Sequence, residues 1–73
     1  MTAIIEATVV DVHHIRHTRS GNPVKVVRTD VGEWMTKPNA MCAYKVSRNW
    51  VDKRVTLILE RGYIVDVREG WSA

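Results

Sequence analysis

The sequence predicts a mainly β protein folded as one small five-stranded barrel, and three observations carry that expectation. Short runs rich in Val, Ile and Thr alternate apolar with polar at period two. Turn-forming clusters punctuate them: Ser20-Gly21-Asn22-Pro23, Asp30-Val31-Gly32 and Glu60-Arg61-Gly62. Only one stretch, from Thr36 to Lys53, drops the alternation, and it has room for a single short helix.

The first strand is expected from Ala3 to about His14. Ile5, Ala7 and Val9 share one of its faces, whereas Val10 and Val12 share the other. A bulge near Val9–Val10 turns both groups inward on a bent strand. One long strand can then serve both halves of a closed barrel. Ser20 to Pro23 makes the first turn, and Pro23 suits a strand start, where a missing N–H does least harm.

The second strand runs from about Val24 to Thr29 and the third from Glu33 to Thr36, joined by Asp30-Val31-Gly32. A three-residue loop pairs Thr29 with Glu33, Arg28 with Trp34, and Val27 with Met35. Val24, Val26 and Trp34 then form one apolar face, and Val27 and Met35 the other. The pattern leaves the direction of Trp34 open, and the size of its ring favours the inside.

After Thr36, Asn39 is the expected N-cap of a helix of about two turns, because Ala40, Ala43, Tyr44 and Ser47 fall at helical spacing. Asn49-Trp50 reads as the exit loop. The last hairpin spans Arg54 to Arg68. A two-residue loop at Arg61-Gly62 sets Leu57 against Asp66, an acid among aliphatics. The three-residue loop Glu60-Arg61-Gly62 pairs Leu59 with Tyr63, Leu57 with Val65 and Val55 with Val67, and is preferred on burial. Gly62 supplies its left-handed position.

Three strands, a short helix and two more strands is the order of an OB-like barrel, a five-stranded Greek key. An SH3-like barrel is the alternative; it has a long early loop and only a short helical turn late.

Composition bounds the rest. A chain of 73 residues opening on Met1 is expected to be one complete domain, 1–73. A domain of this size buries only about 60% of the surface its unfolded chain exposes, so its stability is modest without tight closure or a partner. Cys42 is the sole cysteine, which rules out an intrachain disulfide and a zinc ribbon; amid Ala40, Met41 and Ala43 it reads as a small buried hydrophobe in a reducing, cytoplasmic compartment. No run approaches the roughly 20 apolar residues of a membrane span, and Met1 to Glu6 lacks a basic leader. Eleven Lys and Arg against 8 Asp and Glu, a formal +3, suits a polyanion partner and ordinary solubility equally.

Arg19-Ser20-Gly21-Asn22-Pro23, Val26 to Thr36, Asn39-Ala40 and Tyr44 resemble small uncharacterised proteins of actinobacterial phages. Those share a Ser-Gly-Asn-Pro turn, a Thr-Asp-x-Gly turn and an aromatic-x-Thr strand. The resemblance covers about two thirds of the chain and consists of turn chemistry. It implies a phage product acting inside a bacterial cell and carries no activity.

His13, His14 and His17 are the most conspicuous cluster. Ligands must converge within about 2 Å of one ion, whereas strand residues four apart lie about 13 Å from each other. No metal site is assigned. Arg16, Arg19, Lys25 and Arg28 gather on the first loop and second strand, and Arg61 lies on the loop after the fourth strand. In an OB barrel these flank the usual binding surface. With Trp34 as a stacking face, they form a candidate site for single-stranded nucleic acid. Trp50 and Trp71, in a chain with no Phe, are instead candidates for a protein interface with a host protein or a second copy. Asp11 and His13, two residues apart on one strand face, are a candidate acid–base pair of a kind that arises often by chance. With no phosphate loop or nucleophile motif, neither a catalytic residue nor a cofactor is assigned, and the chain is expected to be a non-enzyme.

Overall fold

A computed structural model describes residues 2–71 of the chain. Five strands, β1 (Thr2–His17), β2 (Pro23–Thr29), β3 (Gly32–Thr36), β4 (Arg54–Glu60) and β5 (Tyr63–Glu69), close in the order β1-β2-β3-β5-β4. A four-residue helix α1 (Cys42–Lys45) and a 3₁₀ turn (Arg48–Trp50) lie between β3 and β4. All neighbours are antiparallel except β3 and β5, which meet in parallel at Met35–Tyr63 and Thr36–Ile64. This is the OB-type arrangement, and the helix between the third and fourth strands sets aside the SH3-like alternative.

β1 holds the barrel together by changing partners. Its first half pairs with β4 from Thr2–Glu60 to Thr8–Arg54, and its second half pairs with β2 from Val9–Thr29 onward. The expected bulge falls at this hand-over: Val9 faces Thr29 and Asp11 faces Arg28, so Val10 is the extra residue. The bulge restores Val12 to the inside, while Val10 itself points to solvent rather than inward. A second irregularity, between His14 and Arg16, extends the strand past its expected end to His17.

Both hairpins differ from expectation by one residue. β4 and β5 are joined by the two-residue loop Arg61-Gly62, with Glu60 against Tyr63 and Leu59 against Ile64. An extra residue at Val65 then puts Leu57 opposite Val67, leaving Asp66 against Ile58. The acid-among-aliphatics objection to the short loop is removed by this bulge. Ile64 takes the position opposite Leu59 expected of Tyr63, Val67 takes the one opposite Leu57 expected of Val65, and Tyr63 turns outward.

β2 and β3 are likewise joined by two residues, Asp30-Val31, pairing Val27 with Trp34 and Arg28 with Glu33. The Thr29 hydroxyl makes the short turn possible: it accepts from the N–H of Val31 (3.2 Å) and Gly32 (3.1 Å) and donates to the Gly32 carbonyl (2.7 Å). The turn is docked on β1, where the Thr8 N–H donates to Asp30 Oδ1 at 2.9 Å and the Asp30 N–H to the Thr8 carbonyl at 3.1 Å.

The core is Val9, Val12, Val27, Val55, Leu57, Leu59, Ile64 and Val67 from the strands, closed at one end by Cys42, Val46 and Trp50. Asn39 is not a helix cap. It sits in the left-handed region (φ 67°) and its Oδ1 accepts from Thr18 Oγ1 (2.7 Å) and Asn22 Nδ2 (3.0 Å), binding the first turn to the β3 exit. The helix is one turn rather than two, and Ser47 caps the 3₁₀ turn by accepting from the Asn49 N–H. Cys42 is buried as expected. Burial pushes its thiol up, with Asp66 adding to the effect, and the sulfur lies 3.7 Å from the Ile64 carbonyl. No helix among the described residues is long and apolar enough to cross a membrane.

Candidate nucleic-acid interface

Directly opposed residues of paired strands share a face, so the registers determine what the outside of β1–β2–β3–β5 presents. One row crosses four strands: His13, Val26, Met35 and Tyr63, each opposite the next. None of the four is fully buried, and Tyr63 exposes 39% of its surface. The next row is Asp11, Arg28 and Glu33. The centre of this face is therefore apolar and aromatic, with charge on one flank.

That charge is largely paired. His13 Nε2 lies 2.7 Å from Asp11 Oδ2, and Arg28 Nε lies 4.0 Å from Glu33 Oε2. The Arg28–Glu33 pair is exposed, where such a contact is worth about 0–1 kcal/mol and leaves the guanidinium free to exchange partners. The turns at either side supply cations with no ion pair among the described residues: Arg16 and Arg19 toward the β1–β2 turn, and Arg61 in the β4–β5 turn. Arg61 itself is left-handed (φ 54°), the first residue of a turn that needs that conformation twice.

Of the expected binding residues, Arg16, Arg19, Arg28 and Arg61 lie on or beside this face. Lys25 does not. It shares the inner side of β2 with Val27, and its Nζ donates to the Val46 carbonyl at 2.6 Å. Trp34 does not either. Opposite Val27, it packs on the core, with its ring so close to Gly32 that a Cβ there would meet it at 2.9 Å. Inward placement agrees with the size of the ring, but removes Trp34 as a stacking surface and as the neighbour of Arg28. Tyr63 is the exposed aromatic of this face. The sequence signal for it was the Arg61-Gly62 pair, which marks a two-residue turn once a bulge is admitted downstream.

The three histidines split. His13 is on the outer face, and His14 and His17 meet edge to face at 4.5 Å. Among the described residues no group of three His, Cys, Asp or Glu is arranged to hold a metal ion. The Asp11–His13 pair is formed but lines neither of the cavities described below.

The two interface tryptophans have opposite fates. Trp50 is buried in the core, with Lys53 over its ring at 5.7 Å, so it offers no docking surface. Trp71 is 45% exposed yet held: its Nε1 donates to the Ala7 carbonyl at 3.1 Å, and the Arg54 guanidinium lies 4.7 Å over the ring. With Ile4, which is 66% exposed, and Ile58 it lines a shallow cavity of about 210 Å³ on the opposite side of the barrel.

Comparison with protein-family models, with curated proteins and with solved structures finds no match to the chain.

Proposed function

We propose that this barrel is a non-catalytic binding module for single-stranded nucleic acid, acting in the cytoplasm of a bacterial host, as its likeness to phage proteins implies. One observation supports the reading best: the unbroken row His13, Val26, Met35, Tyr63 between Arg16 at the end of β1 with Arg19 in the turn after it, and Arg61 in the β4–β5 turn. A single strand needs a surface on which bases lie flat and cations that follow its backbone. Bases rest on Tyr63 and Met35, and phosphates meet Arg28, Arg61, Arg16 and Arg19.

The test is fluorescence anisotropy of a labelled single-stranded oligonucleotide at two salt concentrations, with a duplex control. The expected result is binding that prefers the single strand and weakens steeply with salt through counterion release. Tyr63→Ala should lose about 1–3 kcal/mol with the salt slope unchanged, since stacking is not a counterion effect. Reversing Arg16, Arg19 and Arg61 together should flatten the slope. Absence of binding at low salt overturns the reading.

The alternative is a protein-interaction module with no nucleic-acid role. The exposed Ile4–Ile58–Trp71 surface supports it. Self-association or host-protein binding through that surface is expected to be nearly insensitive to salt. Sedimentation of the chain and of Ile4→Asp at two ionic strengths tests the self-association form.

A further inference from the structure

At the barrel end closed by the 3₁₀ turn, a cavity of about 260 Å³ is lined by Val12, His14, Lys25, Ser47 and Arg48. Its composition follows from the register. Val12 points inward on β1, His14 stands two residues further along the same side, and Lys25 is the direct partner of His14. Ser47 and Arg48 come down from the segment that closes the barrel. Three of the five side chains are basic and none is a carboxylate. Among the described residues, Lys25, His14 and Arg48 form no ion pair, in contrast to Arg28 on the sheet face.

Lys25 is also positioned. Its ammonium donates one proton to the Val46 carbonyl at 2.6 Å, which holds the long side chain in place and leaves two protons for a ligand. His14 is braced edge-on by His17. The Ser47 oxygen accepts from the Asn49 N–H, so its own hydroxyl proton remains to be donated. Residues that carry ammonium, guanidinium, hydroxyl and imidazole groups line the cavity from two strands and a turn, and such a set suits a tetrahedral oxyanion, which accepts from several directions. Val12 and the methylene stems of Lys25 and Arg48 give the remaining wall an apolar character, which suits a small flat body behind the anion.

We propose that this cavity binds a phosphate monoester carried on a small flat group. That chemistry occurs in free small molecules and at the phosphorylated 5′ end of a strand. The site is separate from the sheet face and stands whether or not that face binds nucleic acid.

The experiment is an amide chemical-shift titration of the full chain with phenyl phosphate, with phenol and inorganic phosphate as controls. Saturable shifts are expected around residues 12, 14, 25, 47 and 48, with phenyl phosphate at least tenfold tighter than either control. Arg48→Glu, at an exposed position that should not disturb the fold, is expected to weaken phenyl phosphate at least tenfold; Lys25→Gln should do the same. Arg28→Glu, on the sheet face, is expected to leave it unchanged. A 5′-phosphorylated dinucleotide and its 5′-hydroxyl counterpart distinguish the sources. Preference for the phosphorylated form supports a strand end as ligand, and binding of phenyl phosphate alone supports a free small molecule. Shifts that are absent, that spread equally over Arg16, Arg19 and Arg61, or that survive Arg48→Glu in a folded variant overturn the proposal.

Discussion

The two hairpins of this barrel turn in the same number of residues by different means. At Arg61-Gly62 both residues are left-handed, with φ of 54° and 83°, and the backbone alone supplies the twist that the flanking strands require. At Asp30-Val31 neither residue is left-handed. That turn is held by the Thr29 hydroxyl on three backbone groups and by Asp30 docked on Thr8 of the neighbouring strand. One turn is encoded in local conformation, and the other depends on a side chain and a distant strand. The first should tolerate loss of side chains, and the second should not.

Thr29→Val sharpens the contrast most. It keeps the shape of a buried side chain but leaves two N–H groups and a carbonyl without their hydroxyl partner, so a loss of about 2 kcal/mol is expected in urea unfolding. A change under about 0.5 kcal/mol would show that the turn does not rely on that hydroxyl. Gly32→Ala should cost about 1–2 kcal/mol, because Gly32 holds a φ of 157° and the new Cβ would lie 2.9 Å from the Trp34 ring, and tryptophan emission should shift as the ring moves. Unchanged emission would refute that packing.

Gly62→Ala tests the other hairpin. Nothing lies within 4 Å of the added Cβ, so the cost is the left-handed backbone alone, about 1 kcal/mol. The smallest effect concerns pH. Burial raises the Cys42 thiol above its ordinary value, so its contribution to stability is fully present below the ordinary thiol range. It is lost as pH rises through the raised folded-state value. The wild type should therefore lose more stability at alkaline pH than Cys42→Ala, and parallel curves for the two would exclude the effect.

The difference between the hairpins also explains which readings of the sequence survive. Strand number, the place of the helix, the Val10 bulge and the left-handed Gly62 follow from period-two alternation and turn chemistry, both written within a few residues. The registers do not. Choosing a three-residue loop at Glu60–Gly62 kept aliphatics opposite one another, but the same result is reached by a shorter loop and an extra residue at Val65. At Asp30 the turn length depends on hydrogen bonds from Thr29 that no composition reveals. A slip of one residue turns a strand over, and its consequences are functional: Tyr63 comes to the outer face, and Trp34 no longer stands opposite Arg28.

Distance in sequence accounts for the remaining differences. Lys25 reads as a surface cation until the Val46 carbonyl, 21 residues away, is placed beside its amine. Asn39 has the identity of a helix cap, yet Thr18 and Asn22 engage its carboxamide from the first turn. Trp50 reads as a spare aromatic, and becomes core because the 3₁₀ turn folds over the barrel end.

Alternation and turn residues, acting through local sterics and burial, are enough to specify a small OB-like β barrel. The tertiary structure alone decided which side chains share a surface: the row ending at Tyr63, and the basic cavity formed by His14, Lys25 and Arg48. Those groupings depend on register, and register is set where bulges, a hydroxyl and a neighbouring strand compete to satisfy the backbone.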